Sequence, residues 1–188
     1  MGAGVEEFPE GDRVAYAGPM VGVYAEVAAV PAGVLVPIPD KLSSRAAAAV
    51  LLQGMTAHVM CNDVHHGSAG EWALVHAAAG GTGSLLVQFL LHQGVRVLAS
   101  ASSAQKTQYL RSLGVEHVIN HRHADLVEAV RGIVAGGVDV VLSPTRSMGR
   151  SPGSSSRTAR GGALLDGVLD RVGDGHPGRA RAVGAGRP

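Results

Sequence analysis

A single cysteine, Cys61, is all the thiol chemistry this chain holds. It excludes an internal disulfide, which fits a reducing compartment and leads to the expectation of a cytoplasmic protein. Lysine is nearly as scarce, with Lys41 and Lys106 the only two, and the aromatic side chains are one Trp, two Phe and three Tyr among 188 residues. A core so poor in rings must be built from aliphatic side chains. The richness in Ala, Val, Leu and Gly suits the strands of a parallel α/β sheet, which are buried on both faces. The formal charge is only +1, so nothing global directs the chain to a polyanion. No apolar stretch approaches the roughly 20 residues needed to span a bilayer, and the acidic start, Met1 to Glu10, lacks the character of a signal peptide. Neither a membrane nor a nucleic acid is expected as a partner.

Residues Leu74 to Lys106 are the most informative segment. An apolar strand, Trp72-Ala73-Leu74-Val75-His76, runs into the glycine turn Ala78-Ala79-Gly80-Gly81-Thr82-Gly83. An apolar helix containing Leu85-Leu86-Val87-Gln88-Phe89-Leu90-Leu91 follows, then a second strand, Val95-Arg96-Val97-Leu98-Ala99-Ser100. This is the order a chain needs to hold the pyrophosphate of a dinucleotide. Glycines let the backbone turn sharply and come close to the phosphates, and the next helix turns its free N–H groups and positive dipole end toward them. The G-x-G-x-x-G register falls on Ala78, Gly80 and Gly83, with Ala in the first place.

The end of the second strand bears on which dinucleotide is meant. An NAD site usually sets an acid about 20 residues past the first glycine to accept from the ribose 2′-OH. Here no acid occurs between Gly83 and Glu116. The stretch offers hydroxyls at Ser100, Ser102 and Ser103 and a cation at Lys106. That set suits the 2′-phosphate of NADP, since a carboxylate there would repel it.

Several motifs together resemble a known family. They are Gly11-Asp12-Arg13-Val14-Ala15-Tyr16, Gly22-Val23-Tyr24-Ala25-Glu26, Leu52-Gln53-Gly54-Met55-Thr56-Ala57, His76 to Gly83, Ala104-Gln105-Lys106 and Val118-Ile119-Asn120. In order and spacing, from about 4 to 142, they resemble the zinc-independent NADPH:quinone oxidoreductases of the medium-chain dehydrogenase/reductase superfamily. The resemblance implies a GroES-like β-rich domain followed by a Rossmann domain, NADPH as cofactor, and hydride transfer to a quinone or similar conjugated carbonyl. It implies that Thr56 lines the nicotinamide site, that Gly80, Gly81, Thr82 and Gly83 form the pyrophosphate turn, and that Ser102 and Lys106 contact the 2′-phosphate. His121 falls where the family often has a tyrosine near the adenosine phosphate. Intact relatives are possible homodimers. No residue is named as catalytic, because hydride transfer needs only a nicotinamide held against an electrophile in a dry cleft.

The fold expected is α/β, a partial Rossmann domain with a parallel sheet and flanking helices, preceded by a remnant of a GroES-like β domain. Residues 1–42 are assigned to the remnant, 43–142 to the incomplete NADPH-binding domain with its leading helices, and 143–188 to a low-complexity tail. In the remnant, strands are expected at 12–17, 23–30 and 33–37, and an Ala-rich helix from Ser43 to Leu52. Further on, strands are expected near 72–77, 95–100, 116–119 and 138–142. Helices near 82–93, 103–113 and 124–135 are each closed by a glycine, at Gly94, Gly114 and Gly136.

Measured against the resemblance, the chain looks truncated at its start and diverged after about residue 142. Eight of fourteen arginines lie in 143–188, where no Lys, Phe, Tyr, Trp or Ile occurs. Such a composition predicts little regular structure. A reading-frame product and a natural basic tail both fit it; nucleic-acid binding fits less well, without aromatic platforms or lysine. Zinc-dependent relatives need more cysteines than one, so no metal is expected, and His65, His66, His121 and His123 read as loop histidines. The main functional expectation is an NADPH-dependent reductase. The alternative is an inactive fragment or pseudoenzyme that retains weak dinucleotide binding. Within the enzyme class an enoyl reductase or alcohol dehydrogenase fits the Ala-Gln-Lys and Ile-Asn segments less well.

Overall fold

The computed structural model describes residues 4–18, 24–144 and 181–184. The chain divides into two compact units between Met55 and Thr56. In the first, β1 (Val14–Ala15) pairs antiparallel with β2 (Val36–Pro37), which follows a 3-10 turn at Ala32–Val34. Arg13 ties this small sheet to what comes next, donating to the Leu42 carbonyl at 2.6 Å and to the Ser44 hydroxyl at 3.1 Å. The strand expected at 23–30 does not form among its described residues. Tyr24 and Val27 are 103% and 88% exposed, so there is no neighbour against which a strand face could be buried.

Helix α1 (Ser44–Val59) opens where Ser43 Oγ accepts from the Ala46 N–H at 3.2 Å. It runs past the expected end at Leu52, because alanine has the highest helix propensity and Gly54 alone does not stop it. A single π turn, Met60–Val64, then carries Met60 and Cys61 into the core of the second unit.

That unit is built on a parallel sheet. Its strands are β3 (Trp72–Val75), β4 (Arg96–Ala101), β5 (His117–Asn120), β6 (Val140–Ser143) and β7 (Arg181–Gly184), in the order β5-β4-β3-β6-β7. Every neighbouring pair is parallel. The first strand of the unit is central; the chain winds outward to β5, then crosses back to β6. That is a Rossmann order, and the crevice beyond β3, where the winding reverses, is where such sheets take ligands.

The period-2 alternation of the strands sorts the core. Ala73 and Val75, with Val97, Ala99, Val140 and Leu142, face the side covered by α2 (Gly81–His92) and α3 (Ala104–Ser112), where Leu86, Leu90 and Leu110 are fully buried. Leu74, Leu98, Ile119 and Val141 face the opposite side, covered by Leu126 and Val130 of α4 (Leu126–Ile133). Both faces are therefore dry, which is why the strands read as continuous apolar runs.

Gly94 and Gly114 follow α2 and α3 with φ of 77° and 94°, the left-handed conformation that lets a helix end and a strand begin. The third expected stop is corrected. α4 ends on Val134 in an extended conformation, and the residue with positive φ is Gly137, at 81°, rather than Gly136.

A second correction concerns the segment after Leu142. Residues 181–184, expected to lack regular structure, form β7, in register with β6 from Val140↔Arg181 to Ser143↔Gly184. Without it β6 would be an edge strand with unpaired N–H and C=O groups, and parallel pairing meets that need. The remainder of the expected tail, 145–180 and 185–188, lies outside the described residues.

Candidate functional site

At the carboxyl end of β3 the chain turns within a few residues. The His76 N–H donates to the Leu142 carbonyl at 2.9 Å, carrying the β3–β6 pairing one residue further. Ala77 then takes φ of 50°, alone among the described non-glycine residues in adopting a positive value. Its carbonyl accepts from the Gly80 N–H at 2.9 Å, and the Ser84 N–H returns to the Gly80 carbonyl at 2.8 Å as α2 begins.

Gly83 is required here by close approach. A Cβ on it would lie 2.4 Å from the Ala77 carbonyl oxygen and 2.9 Å from Ala78 Cα. Gly80 occupies the N-cap of α2 and offers no side chain to cap it. The first amides of α2 thus keep their capacity to bond an anion, and the helix dipole adds to it.

Beside this turn lies a hollow of about 240 Å³, lined by His76, Ala77, Ala79, Gly80, Ser100, Ala101, Ser102, Lys106 and His121. It sits at the carboxyl ends of β3, β4 and β5, and no carboxylate among the described residues lines it. Ser103 caps α3, its Oγ accepting from the Lys106 N–H at 3.3 Å, which fixes the first turn of the helix that bears Lys106. His121 follows β5, its N–H bonded to the Ala101 carbonyl at 3.1 Å.

Three polar side chains meet at the back of the hollow. Ser100 Oγ and His76 Nδ1 share a hydrogen bond of 2.9 Å, and Ser100 is fully buried. The rings of His76 and His121 lie 5.7 Å apart between centroids, tilted by 47°. Burial holds the His76 pKa below its usual 6.5, and a positive charge on His121 would lower it further. His121 is also held low, by burial and then by Arg122 and Lys106. His121 Nδ1 is buried and has no hydrogen-bond partner. An unpartnered buried nitrogen beside a lysine, in a hollow with no acid among its described lining residues, fits an anionic group with acceptor oxygens.

The structure brings together Gly80, Ser102, Lys106 and His121 around this hollow. Gly81, Thr82 and Gly83 form the first turn of α2 behind Gly80 without lining it. Thr56 lies elsewhere, partly buried on α1 beside the fully buried Ala57, and is not among the lining residues. His76 and the bond between it and Ser100 were not anticipated as site features. The position of a histidine directly after an apolar strand that ends at a glycine turn was the available signal.

A larger hollow of about 480 Å³ lies at the opposite, amino ends of the strands, lined by Trp72, Arg96, Glu116 and His117 among others. The Arg96 guanidinium stands 5.5 Å over the Trp72 ring. It lies at the end of the sheet away from the switch point and includes a carboxylate, so it suits a phosphate less well.

Residues 81–175 match the family model described as zinc-binding dehydrogenase. The chain is 38% identical over 144 residues to a 2-haloacrylate reductase from a Burkholderia species, covering 75% of this chain and 43% of the relative. It is 37% identical over 136 residues to a quinone oxidoreductase from Salmonella typhimurium, covering 72% of this chain and 42% of that protein. Among solved structures, the Escherichia coli quinone oxidoreductase complexed with NADPH matches with a TM-score of 0.76 at 26% identity, covering 100% of this chain and 59% of that one. The chain spans less than half the length of these two curated relatives.

The family match, over residues 81–175, extends past Leu142 into the segment read as diverged. The described residues offer no site for the zinc in the family description. Among the described residues no three of His, Cys, Asp or Glu stand together. Burial pushes the Cys61 thiol up to about 11, which keeps it protonated and a poor ligand.

Proposed function

This chain belongs to the zinc-binding dehydrogenase family, as a quinone-oxidoreductase-like member of the medium-chain dehydrogenase/reductase superfamily, and we propose that it binds NADPH and passes hydride to a quinone or similar conjugated carbonyl. The observation that carries the reading is the hollow at the switch point, free of acids among the described residues. It joins the glycine turn of α2 to Ser102, Lys106 and His121. Its size suits a phosphorylated ribose, with the pyrophosphate against the amides that open α2 and the rest of the dinucleotide beyond.

When bound, the nicotinamide supplies hydride. The chain's own residues hold and orient. Gly80 to Gly83 let the backbone approach the pyrophosphate, Lys106 and Ser102 bond the 2′-phosphate, and Thr56 is assigned to the nicotinamide end by resemblance alone. The acceptor class rests on the relatives' names. A quinone and a haloacrylate share a carbon–carbon double bond conjugated to a carbonyl or carboxyl group, which takes hydride at carbon and a proton from solvent. No zinc step is assigned.

The test is a titration of the chain with NADPH and NADH, followed by turnover with a simple benzoquinone, read as loss of the reduced-cofactor absorbance. Binding of NADPH with quinone-dependent oxidation is the expected result. Binding without oxidation points to the second reading, a chain that retains dinucleotide binding but transfers no hydride. The small first unit, whose two strands among the described residues are two residues each, is what favours it. Absence of binding overturns both.

A further inference from the structure

We propose that His121 is a proton-linked ligand for the cofactor's 2′-phosphate, so that the preference for NADPH over NADH depends on pH. The proposal rests on the dinucleotide reading above and deepens it. His121 Nδ1 is buried without a hydrogen-bond partner, in the same hollow as Lys106 and Ser102. The charged and titratable groups that face the ring are His76 at the end of β3, Lys106 on α3 and Arg122 beside it in the chain. Among the described residues no carboxylate lines the hollow to hold a proton on the imidazole.

With no anion bound, burial and then Arg122 and Lys106 keep His121 below its usual 6.5, so it is neutral at neutral pH. A phosphate dianion set among these groups reverses the balance. It attracts a proton onto the ring, and both ring nitrogens become donors. His76 is less free to respond, because its Nδ1 is engaged with Ser100 Oγ at 2.9 Å. Binding of the phosphorylated cofactor therefore takes up a proton at His121. By linkage, affinity rises as pH falls through the interval between the pKa of His121 with phosphate bound and its lower value without it. The gain is about tenfold for each unit separating the two. NADH carries a hydroxyl in place of the phosphate and takes up none. The phosphate's own second ionisation, near pH 6, bounds the interval from below by removing the dianion.

The experiment is calorimetric titration of the full chain with NADPH and with NADH. It is run at about pH 8 and pH 6.5, in two buffers of different ionisation enthalpy. The expected result is NADPH binding that tightens about three- to tenfold at the lower pH, with uptake of a fraction of a proton and a flat NADH profile. His121→Gln, which hydrogen-bonds but does not titrate, flattens the NADPH profile. Preferential NADPH binding with no proton uptake at either pH overturns this inference and leaves the dinucleotide reading standing. Failure to bind either cofactor at both pH values overturns the two together. Should His121→Gln not fold, the histidine ring protons of the wild-type chain can be followed by NMR. One ring pKa rising with 2′,5′-ADP but not with 5′-AMP supports the proposal, and no such rise refutes it.

Discussion

Replacing Gly83 with alanine sets two effects of known size against each other. Gly83 lies in the first turn of α2, where alanine is favoured over glycine by about 1 kcal/mol. The added Cβ, however, would sit 2.4 Å from the Ala77 oxygen, 2.9 Å from Ala78 Cα and 3.0 Å from the Ala78 carbonyl carbon. Ordinary van der Waals contact begins at 3.4 Å, and all three neighbours are backbone, so no side chain can swing aside. Overpacking of this kind costs about 1–3 kcal/mol, and a backbone obstacle places it at the upper end. The net loss expected is about 2 kcal/mol, a fall in Tm of roughly 4–8 °C for a chain of this size. Gly132→Ala in α4 is the control, because nothing lies within 4 Å of its Cβ position and only the propensity gain remains. Thermal unfolding followed by circular dichroism should therefore move in opposite directions for the two variants. A Gly83→Ala protein as stable as wild type would refute the close-approach argument. So would Gly132→Ala melting below it, for the propensity half.

Lys106→Ala should weaken NADPH binding by about 1.5–3 kcal/mol, roughly tenfold to a hundredfold, and leave NADH nearly unchanged; equal losses in a two-cofactor titration would assign Lys106 to the fold or the pyrophosphate. Cys61, fully buried and with its thiol pushed up to about 11, should resist alkylation near pH 7.5 in the native protein and react once the chain is unfolded in guanidinium. Rapid native labelling would contradict its burial. Because the native pKa of His76 lies below its usual 6.5, the unfolded chain takes up that proton first as pH falls. This contribution to stability is complete above about pH 6.5 and is lost as pH falls through the lowered native value. Tm should therefore decline as pH falls below about 6.5, less steeply in His76→Gln, and identical slopes for the two proteins would remove His76 from the account.

Most of the second unit was legible because its signals are local. Continuous apolar runs marked β3, β4 and β6, the glycine turn marked the start of α2, and Gly94 and Gly114 marked helix ends, since each depends on a backbone preference or a buried strand read within a few residues. The first unit was less legible. The stretch around Tyr24 and Val27 has strand-like composition, but a strand needs a neighbour, and composition does not supply one. The same applies at 181–184, where Ala182-Val183 is too short to announce a strand and the open edge of β6 provides the reason for one.

In the site, the sequence alone determined the glycine turn, the absence of acids between Gly83 and Glu116, and the presence of Ser102 and Lys106 at the end of the second strand of the unit. These follow from order along one βαβ segment. Only the tertiary structure decided that His76, Ser100 and His121 meet. Parallel pairing of β3 with β4 and of β4 with β5 brings three carboxyl ends together, across a separation of 24 residues for the bonded pair His76 and Ser100. Which of their nitrogens is satisfied, and which is left without a partner, depends on that register, and no local pattern encodes it.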